Sequence, residues 1–218
     1  MSHRAFKNKL YAEFARVGTA LGSDKRLELL DLLSQGPRYV DALAAEMEMS
    51  VANISQHLQV LRNAKLVASE REGNRVLYRL TDESVLSLWL HLRTVAEEHI
   101  PEIGLLRDQY TLEGLGGEVQ PSDLESLLSS GEVVLIDVRP SLEFESGHIA
   151  GALSVPVDEL SGRLDSLPRD KRIVAYCRGK YCLFADEAVA LLRSRGFDAI
   201  RLDGGWPEWT AAQRPDGN

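Results

Sequence analysis

The overall spacing of the apolar residues differs between the parts of the chain before and after about residue 120. Before this point most apolar side chains recur at three- and four-residue steps, as from Phe6 to Leu10, which is the periodicity of an amphipathic α-helix. After it, short apolar runs at 133–136 and 173–176 alternate with helical segments, a pattern typical of a mostly parallel sheet. The chain is therefore predicted to form a mainly helical domain followed by an α/β domain.

The length and composition of the chain allow two modest globular domains, since it has 218 residues, of which 44% are hydrophobic and 27% are charged. No apolar stretch is long enough to span a membrane, and no apolar segment follows the first basic residues. We therefore expect a cytoplasmic protein without a membrane partner. Basic and acidic residues are equal in number over 1–100, so any binding of DNA must depend on where the charges lie.

A helix-turn-helix pattern follows two N-terminal helices, which are predicted at 5–22 and 24–34. A short helix at 40–47, a tight turn at 48–50 and a second helix at 51–64 have the spacing of this motif. The residues of the second helix that are predicted to face inward are Val51, Ile54, Leu58 and Leu61.

Two alternating segments, 66–71 and 75–80, flank Glu72-Gly73-Asn74 and predict a β-hairpin, which turns the motif into a winged helix. Polar groups on the outer face of the second helix can reach base edges and phosphates, while arginines beside the hairpin tip can reach the DNA backbone. The residues predicted to contact double-stranded DNA are Asn53, Ser55, Gln56, His57, Gln59, Arg62, Arg71 and Arg75. His57 is interpreted as a phosphate contact or a packing residue.

The segments 53–62, 66–67 and 71–80 resemble the ArsR/SmtB family of bacterial repressors, and the resemblance covers about residues 10–100. It implies a winged-helix dimer that leaves its operator when a metal, metalloid or sulfur species is sensed. An apolar stripe over 82–99 together with the helix at 5–22 is the predicted homodimer surface. The N-terminal half has no cysteine, which excludes thiol-based metal sensing there, and neither a metal site nor a cofactor is predicted.

The two cysteines of the chain bracket a loop that follows the apolar run at 173–176 and precedes a helical pattern at 183–195. In this position backbone N–H groups, the helix dipole and the charges of Arg178 and Lys180 favour a thiolate, which predicts a lowered pKa for Cys177. The two cations are also expected to draw in anionic sulfur donors. The residues of the predicted reactive site are Cys177, Arg178, Gly179, Lys180, Tyr181 and Cys182.

Four separated segments resemble the rhodanese family: 137–139, 143–152, the loop that begins at Cys177, and 202–206 together with Trp209. The resemblance covers about 119–214. It implies a cysteine that accepts sulfane sulfur from thiosulfate, a persulfide or a polysulfide, becomes a persulfide and passes the sulfur on. Asp137, Arg139, Glu143 and His148 are interpreted as residues that brace the turns around the loop. Related folds with phosphatase or arsenate-reductase activity have an arginine where this chain has Leu183, which argues against those reactions.

Cys182 has two interpretations that remain open. A second thiol in the loop could resolve a Cys177 persulfide into a disulfide or polysulfide bridge, or it could be a small packing residue at the start of a helix.

The leading hypothesis is a dimeric DNA-binding transcriptional regulator, a repressor, in which sulfane sulfur on Cys177 changes operator affinity. One alternative is a sulfurtransferase enzyme whose DNA-binding half responds to another signal. A second alternative is an arsenic-responsive repressor that uses the two thiols as ligands. The predicted limits are 1–104 for the winged-helix domain, 105–118 for a linker and 119–218 for the rhodanese-like domain.

Overall fold

The computed structural model describes residues 2–110 and 118–213. The chain divides into two compact units, Met1–Leu92 and Arg93–Asn218, and each has a buried apolar core of its own. Within the described ranges, no helix combines the length and the hydropathy needed to cross a membrane.

The first unit is mainly helical and contains a small antiparallel sheet. Its elements are α1 (His3–Leu21), α2 (Asp24–Ser34), β1 (Arg38–Tyr39), α3 (Val40–Glu46), α4 (Val51–Asn63), β2 (Val67–Glu72), β3 (Arg75–Leu80) and the first part of α5 (Glu83–His99). β3 lies between β1 and β2 and pairs antiparallel with both. The predicted helices, the helix-turn-helix and the wing are confirmed, whereas β1, with two residues, is too short to leave a pattern in the sequence.

The core of this unit holds the second helix of the motif in place. Ile54, Leu58 and Leu61 are fully buried, as predicted. The prediction for Val51 is wrong, because α4 begins at this residue, at the rim of the core, and 51% of Val51 is exposed. The side chain of Ser50 accepts a hydrogen bond from the backbone N–H of Asn53 and so caps the start of α4.

The second unit is an α/β domain with helices and strands in alternation. Its elements are the last part of α5, then α6 (Pro101–Tyr110), β4 (Glu118–Val119), α7 (Pro121–Ser130), β5 (Val133–Asp137), α8 (Ser141–Ser146), β6 (Leu153–Ser154), α9 (Leu160–Arg163), β7 (Arg172–Cys177), α10 (Phe184–Ser194), β8 (Ala199–Gly205) and α11 (Trp206–Ala212). The sheet has the order β4-β8-β7-β5-β6, and every neighbouring pair is parallel. The prediction of a mostly parallel sheet is confirmed, and β7 at its centre carries the thiol loop at its carboxyl end.

The segment predicted as a linker, 105–118, is helical in part. Residues 105–110 belong to α6, the stretch 111–117 lies outside the described residues, and Glu118 begins β4. None of the residues of α6 is buried, so its apolar residues do not form the one-sided stripe by which a helix is recognised in a sequence. The domain limits at 104 and 119 stay predictions.

Candidate functional site

The two cysteines stand close together because the loop between β7 and α10 turns back on itself. β7 is buried from its second residue onward and carries Cys177 to a position with no exposed surface. The thiol of Cys177 donates a hydrogen bond to the backbone carbonyl of Cys182 at 3.4 Å, and the two free thiols also hydrogen-bond each other. Cys182 remains partly exposed. The loop therefore contains a pair of interacting thiols, one buried and one near the surface.

The pKa values of the two thiols are displaced in opposite directions. Burial, followed by the hydrogen bond with Cys182, raises the pKa of Cys177 well above its ordinary value, although the backbone N–H groups of Gly179 and Ala185 act against this. The hydrogen bond from Cys177 lowers the pKa of Cys182. The prediction of a lowered pKa for Cys177 is therefore wrong for this state of the loop, because the strand places that thiol beneath the surface. In this state of the loop Cys177 keeps its proton, and Cys182 is the more acidic of the two thiols.

The two cations of the loop are held in ion pairs. Arg178 contacts the carboxylate of Glu143 through two nitrogens, with 2.7 Å between Nη2 and Oε1. Lys180 Nζ lies 2.8 Å from Oε2 of Glu97. Both charges are thus compensated, so the geometry does not favour the predicted role of these residues in attracting anions. They fasten the two sides of the loop to neighbouring helices instead.

Glu97, near the end of α5, is held by two residues of the loop. Besides the ion pair with Lys180, it accepts a hydrogen bond from the hydroxyl of Tyr181. Burial acts to raise the pKa of Glu97, but the hydrogen bonds from Lys180 and Tyr181 outweigh it and hold this pKa below its ordinary value. Burial and the contact with Glu97 raise the pKa of Tyr181 to about 12. Glu97 is therefore ionised at neutral pH and the Tyr181 hydroxyl keeps its proton.

A second contact joins α5 to the far side of the loop. Arg93 Nη1 lies 2.9 Å from Oε1 of Glu208, whose other oxygen accepts a hydrogen bond from the backbone N–H of Gly205. The carboxylate of Glu208 also approaches Gly179, where an added Cβ would lie 3.0 Å from Oε1 and where φ is +152°. The positive φ favours glycine at 179.

The residues interpreted as braces have that role in the structure. Arg139 and Asp137 form a fully buried ion pair, and Arg139 Nη2 donates to the carbonyl of Gly147 at 2.7 Å. His148 stacks on the ring of Phe144, with 3.7 Å between the ring centroids. These contacts hold the turn after β5 next to the thiol loop, and the carboxylate that pairs with Arg178 comes from the same region.

The predicted DNA-contacting residues of the first unit lie on α4 and on the hairpin. All of them are exposed except His57, which is half-buried. Arg62 donates hydrogen bonds to Ser69 of β2 and to Gln59, so it ties α4 to the wing. Arg75 pairs with Asp41 of α3 at 2.8 Å. The structure thus brings the predicted residues together on one unit, and two of the arginines also fix the position of the wing.

Gln56 provides a test of the predicted base contacts. Replacing it with alanine is expected to cost about 1–3 kcal/mol of binding free energy on a duplex that the wild-type protein selects from a random pool. Binding to an unrelated duplex should change little, because a contact with a base edge carries sequence information and a contact with a phosphate does not. Fluorescence anisotropy titrations would measure both. Gln213→Ala changes an exposed glutamine of the second unit and is the matched control. Equal weakening on both duplexes would contradict a base contact.

Three residues of the loop environment were missed in the sequence: Arg93, Glu97 and Glu208. Glu97 and Lys180 are separated by 83 positions, and no local pattern links residues so far apart.

Among the described residues, no group of three or more histidine, cysteine, aspartate or glutamate side chains is arranged to hold a metal ion.

The chain is similar to known proteins over both units. Residues 23–69 match the model of the arsR family of bacterial regulatory proteins, and residues 120–212 match the model of the rhodanese-like domain. The HTH-type transcriptional regulator Rv0324 of Mycobacterium tuberculosis is 41% identical over 209 residues, which are 96% of this chain and 92% of that protein.

Two further similarities cover part of the chain. A tRNA uridine(34) hydroxylase of Erwinia tasmaniensis is 29% identical over 143 residues, which are 62% of this chain and 40% of that protein. Another match is to the solution structure of fragment 1–100 of Mb0332 from Mycobacterium bovis, a homodimeric winged helix-turn-helix DNA-binding domain. The sequence identity is 42%, the match covers 46% of this chain and 91% of the Mb0332 fragment, and the TM-score is 0.43.

Proposed function

The chain belongs to the arsR family of bacterial transcriptional regulators and carries a rhodanese-like domain, and we propose that it is a repressor whose affinity for DNA is set by sulfane sulfur on its thiol loop. The partners are a double-stranded operator and a small sulfur donor. A regulator of this kind works in the cytoplasm, where the DNA is.

Exposed apolar residues support a homodimer. On α1, Phe6, Tyr11 and Phe14 are 56%, 64% and 61% exposed, and Leu88 on α5 is 38% exposed. Three exposed aromatic side chains on one helix are what an interface would cover, and in a twofold dimer the same surface serves both subunits.

One observation carries the sensing proposal: the thiol that would take up sulfur is fully buried in a loop that is bonded to Glu97. A sulfur atom added to Cys177 needs space that the closed loop does not have, because protein interiors are close-packed. The loop must therefore open, and Lys180 and Tyr181 must move with it. Sulfur uptake is in this way expected to break the contacts with Glu97.

Helix α5 supplies the connection to DNA binding. It is continuous from Glu83 to His99, and its early residues Val85 and Leu86 are buried in the first unit, whereas Glu97 belongs to the second. A change in the contacts at Glu97 can therefore alter the position of a helix that is part of the DNA-binding unit. Coupling between separate sites requires an element with two positions, and α5 is proposed to be this element.

The chemistry needs the two thiols and a donor with sulfane sulfur, R–S–SH. When the loop opens and Cys177 reaches water, the burial that raises its pKa is removed, the thiol loses its proton to solvent, and the Cys177 thiolate attacks the outer sulfur of the donor. The S–S bond of the donor breaks, R–S⁻ leaves with the electron pair and takes up the proton, and Cys177 becomes Cys–S–SH. Attack of Cys182 on the Cys177 sulfur then gives a disulfide and releases H₂S.

Treatment with polysulfide is expected to change the affinity of the wild-type protein for its selected duplex by about 5–150-fold, the range of typical coupling energies. Mass spectrometry of the same sample should show additions of about 32 Da, one per sulfur, or the loss of two hydrogens at these thiols. Cys177→Ser should show neither change, whereas Cys182→Ser should take up sulfur without closing a disulfide.

The proposal fails if polysulfide leaves DNA affinity unchanged and Cys177→Ser behaves like the wild type. If the protein steadily transferred sulfur from thiosulfate to an added thiol, and if Cys177→Ala abolished this transfer, the alternative of a sulfurtransferase enzyme would be favoured instead. Uptake of one or two sulfur atoms without turnover favours the sensor.

A further inference from the structure

A cavity of about 330 Å³ lies in the second unit, between α6 and the thiol loop. From α6 it is lined by Leu106 and Tyr110, among others, and from the loop side by Tyr181 and Leu183. Its volume is at the lower end of the range for sites that bind small molecules. The wall is mainly apolar, so an occupant gains by removing an apolar group from water.

The charged groups of the wall are nearly balanced by partners. Lys180 is paired with Glu97, and Asp186 forms a buried ion pair with Arg201 at 2.8 Å. Arg107 lies 3.7 Å from Asp108, with 44% of its side chain exposed, and its charge acts on the hydroxyl of Tyr181. These pairings leave the wall without a strong net charge, so the cavity does not call for a strongly charged ligand.

The position of the cavity relates it to the thiols. Tyr181 and Leu183 are the chain neighbours of Cys182, the partly exposed thiol. A molecule in the cavity thus rests on the segment of the loop that must move before a donor can reach Cys177.

We propose that this cavity seats the apolar body of an organic persulfide, which is the sulfur donor to the loop. The inference rests on the proposed function and narrows the class of donor from any small molecule with sulfane sulfur to a persulfide R–S–SH in which R is apolar. The sulfur passes by the step given above: the Cys177 thiolate bonds to the outer sulfur, and R–S⁻ leaves as the thiol R–SH after protonation. The apolar group R stays in the cavity until the thiol departs.

Binding is tested first with 3-phenylpropanoate, a sulfur-free anion with an apolar body, by NMR titration of the full chain. Saturable binding is expected, and Leu106→Asp should weaken it at least about tenfold, since a carboxylate in the wall opposes an apolar group. The matched control is Leu105→Asp, which places the same charge on the same helix at a residue that is 61% exposed and does not line the cavity. Leu106 is itself 55% exposed, so the substitution is compatible with folding.

Sulfur uptake is tested next by comparing phenylmethyl persulfide, glutathione persulfide and thiosulfate as donors. Phenylmethyl persulfide should load the wild-type loop at least about tenfold faster than the other two, and Leu106→Asp should remove this preference while Leu105→Asp keeps it. Equal rates for all three donors, or equal effects of the two variants, would overturn the donor site and leave the sensor intact. Absence of uptake from every donor would instead remove the proposed function, on which the donor site rests.

Discussion

Replacing Glu97 with glutamine is expected to leave sulfur uptake intact and to remove the effect of sulfur on DNA affinity. Glutamine keeps the shape of the side chain but loses the charge that Lys180 and Tyr181 contact at neutral pH. If the closed loop acts on α5 through this carboxylate, the change in affinity with polysulfide should fall from about 5–150-fold to less than about twofold. DNA titrations before and after polysulfide would measure it, with mass spectrometry to verify loading.

Glu98→Gln is the matched control, because it removes the same charge from the next, exposed residue of α5 and should respond like the wild type. The pH dependence has a defined sign. Because the pKa of Glu97 is held below its ordinary value, its contact with Lys180 is present at neutral pH and is lost as the pH falls through that lowered pKa. The response should therefore persist in mildly acidic buffer. A full response in Glu97→Gln would show that coupling follows another route.

Replacing Gly205 with alanine is expected to slow sulfur uptake about 100-fold. A Cβ at this position would lie 2.2 Å from the carbonyl oxygen of Cys177 and 2.5 Å from the amide nitrogen of Gly179. Both are backbone atoms, so the loop has to shift. A displacement of reacting groups by about 1 Å can reduce the rate of a reaction about 100-fold. Overpacking of this kind also lowers the free energy of unfolding by about 1–3 kcal/mol. Loading kinetics by mass spectrometry and chemical denaturation would measure the two effects.

Gly162→Ala is the control for this substitution, since an added Cβ at 162, in the short helix α9, meets no atom within 4 Å. It should load sulfur normally. If Gly205→Ala loaded at the wild-type rate, the close approach of β8 to the loop would have no role in holding the thiols.

Much of the fold could be predicted from the sequence, because long elements repeat their pattern many times. The helices α1, α2 and α4 and the strand β5 each place several apolar residues on one side or in one run, and their predicted limits lie within two residues of the observed ones. The two-residue strands β1, β4 and β6 have no such repetition. They form because a neighbouring strand offers hydrogen-bond partners, which is tertiary information.

The position of the two cysteines in one loop could be predicted from the sequence, whereas the electrostatics of that loop could not. Cys177 and Cys182 lie at a strand-to-helix loop, as their spacing predicted, and the thiol chemistry of this loop stays a prediction. The predicted direction of the shift in the Cys177 pKa was wrong, because the effect of burial outweighs that of the backbone N–H groups. How deeply a strand end is buried depends on the helices that cover it.

The sequence by itself determined the two kinds of domain, the winged helix, the parallel sheet and the loop in which the two thiols lie, because periodicity and short motifs are local properties of the chain. Only the tertiary structure decided which of the two thiols is buried and that the loop cations are paired. It also revealed Glu97 of α5 as the residue bonded to Lys180 and Tyr181. These facts depend on contacts between residues far apart in the chain, whose distances are set by the packing of whole elements.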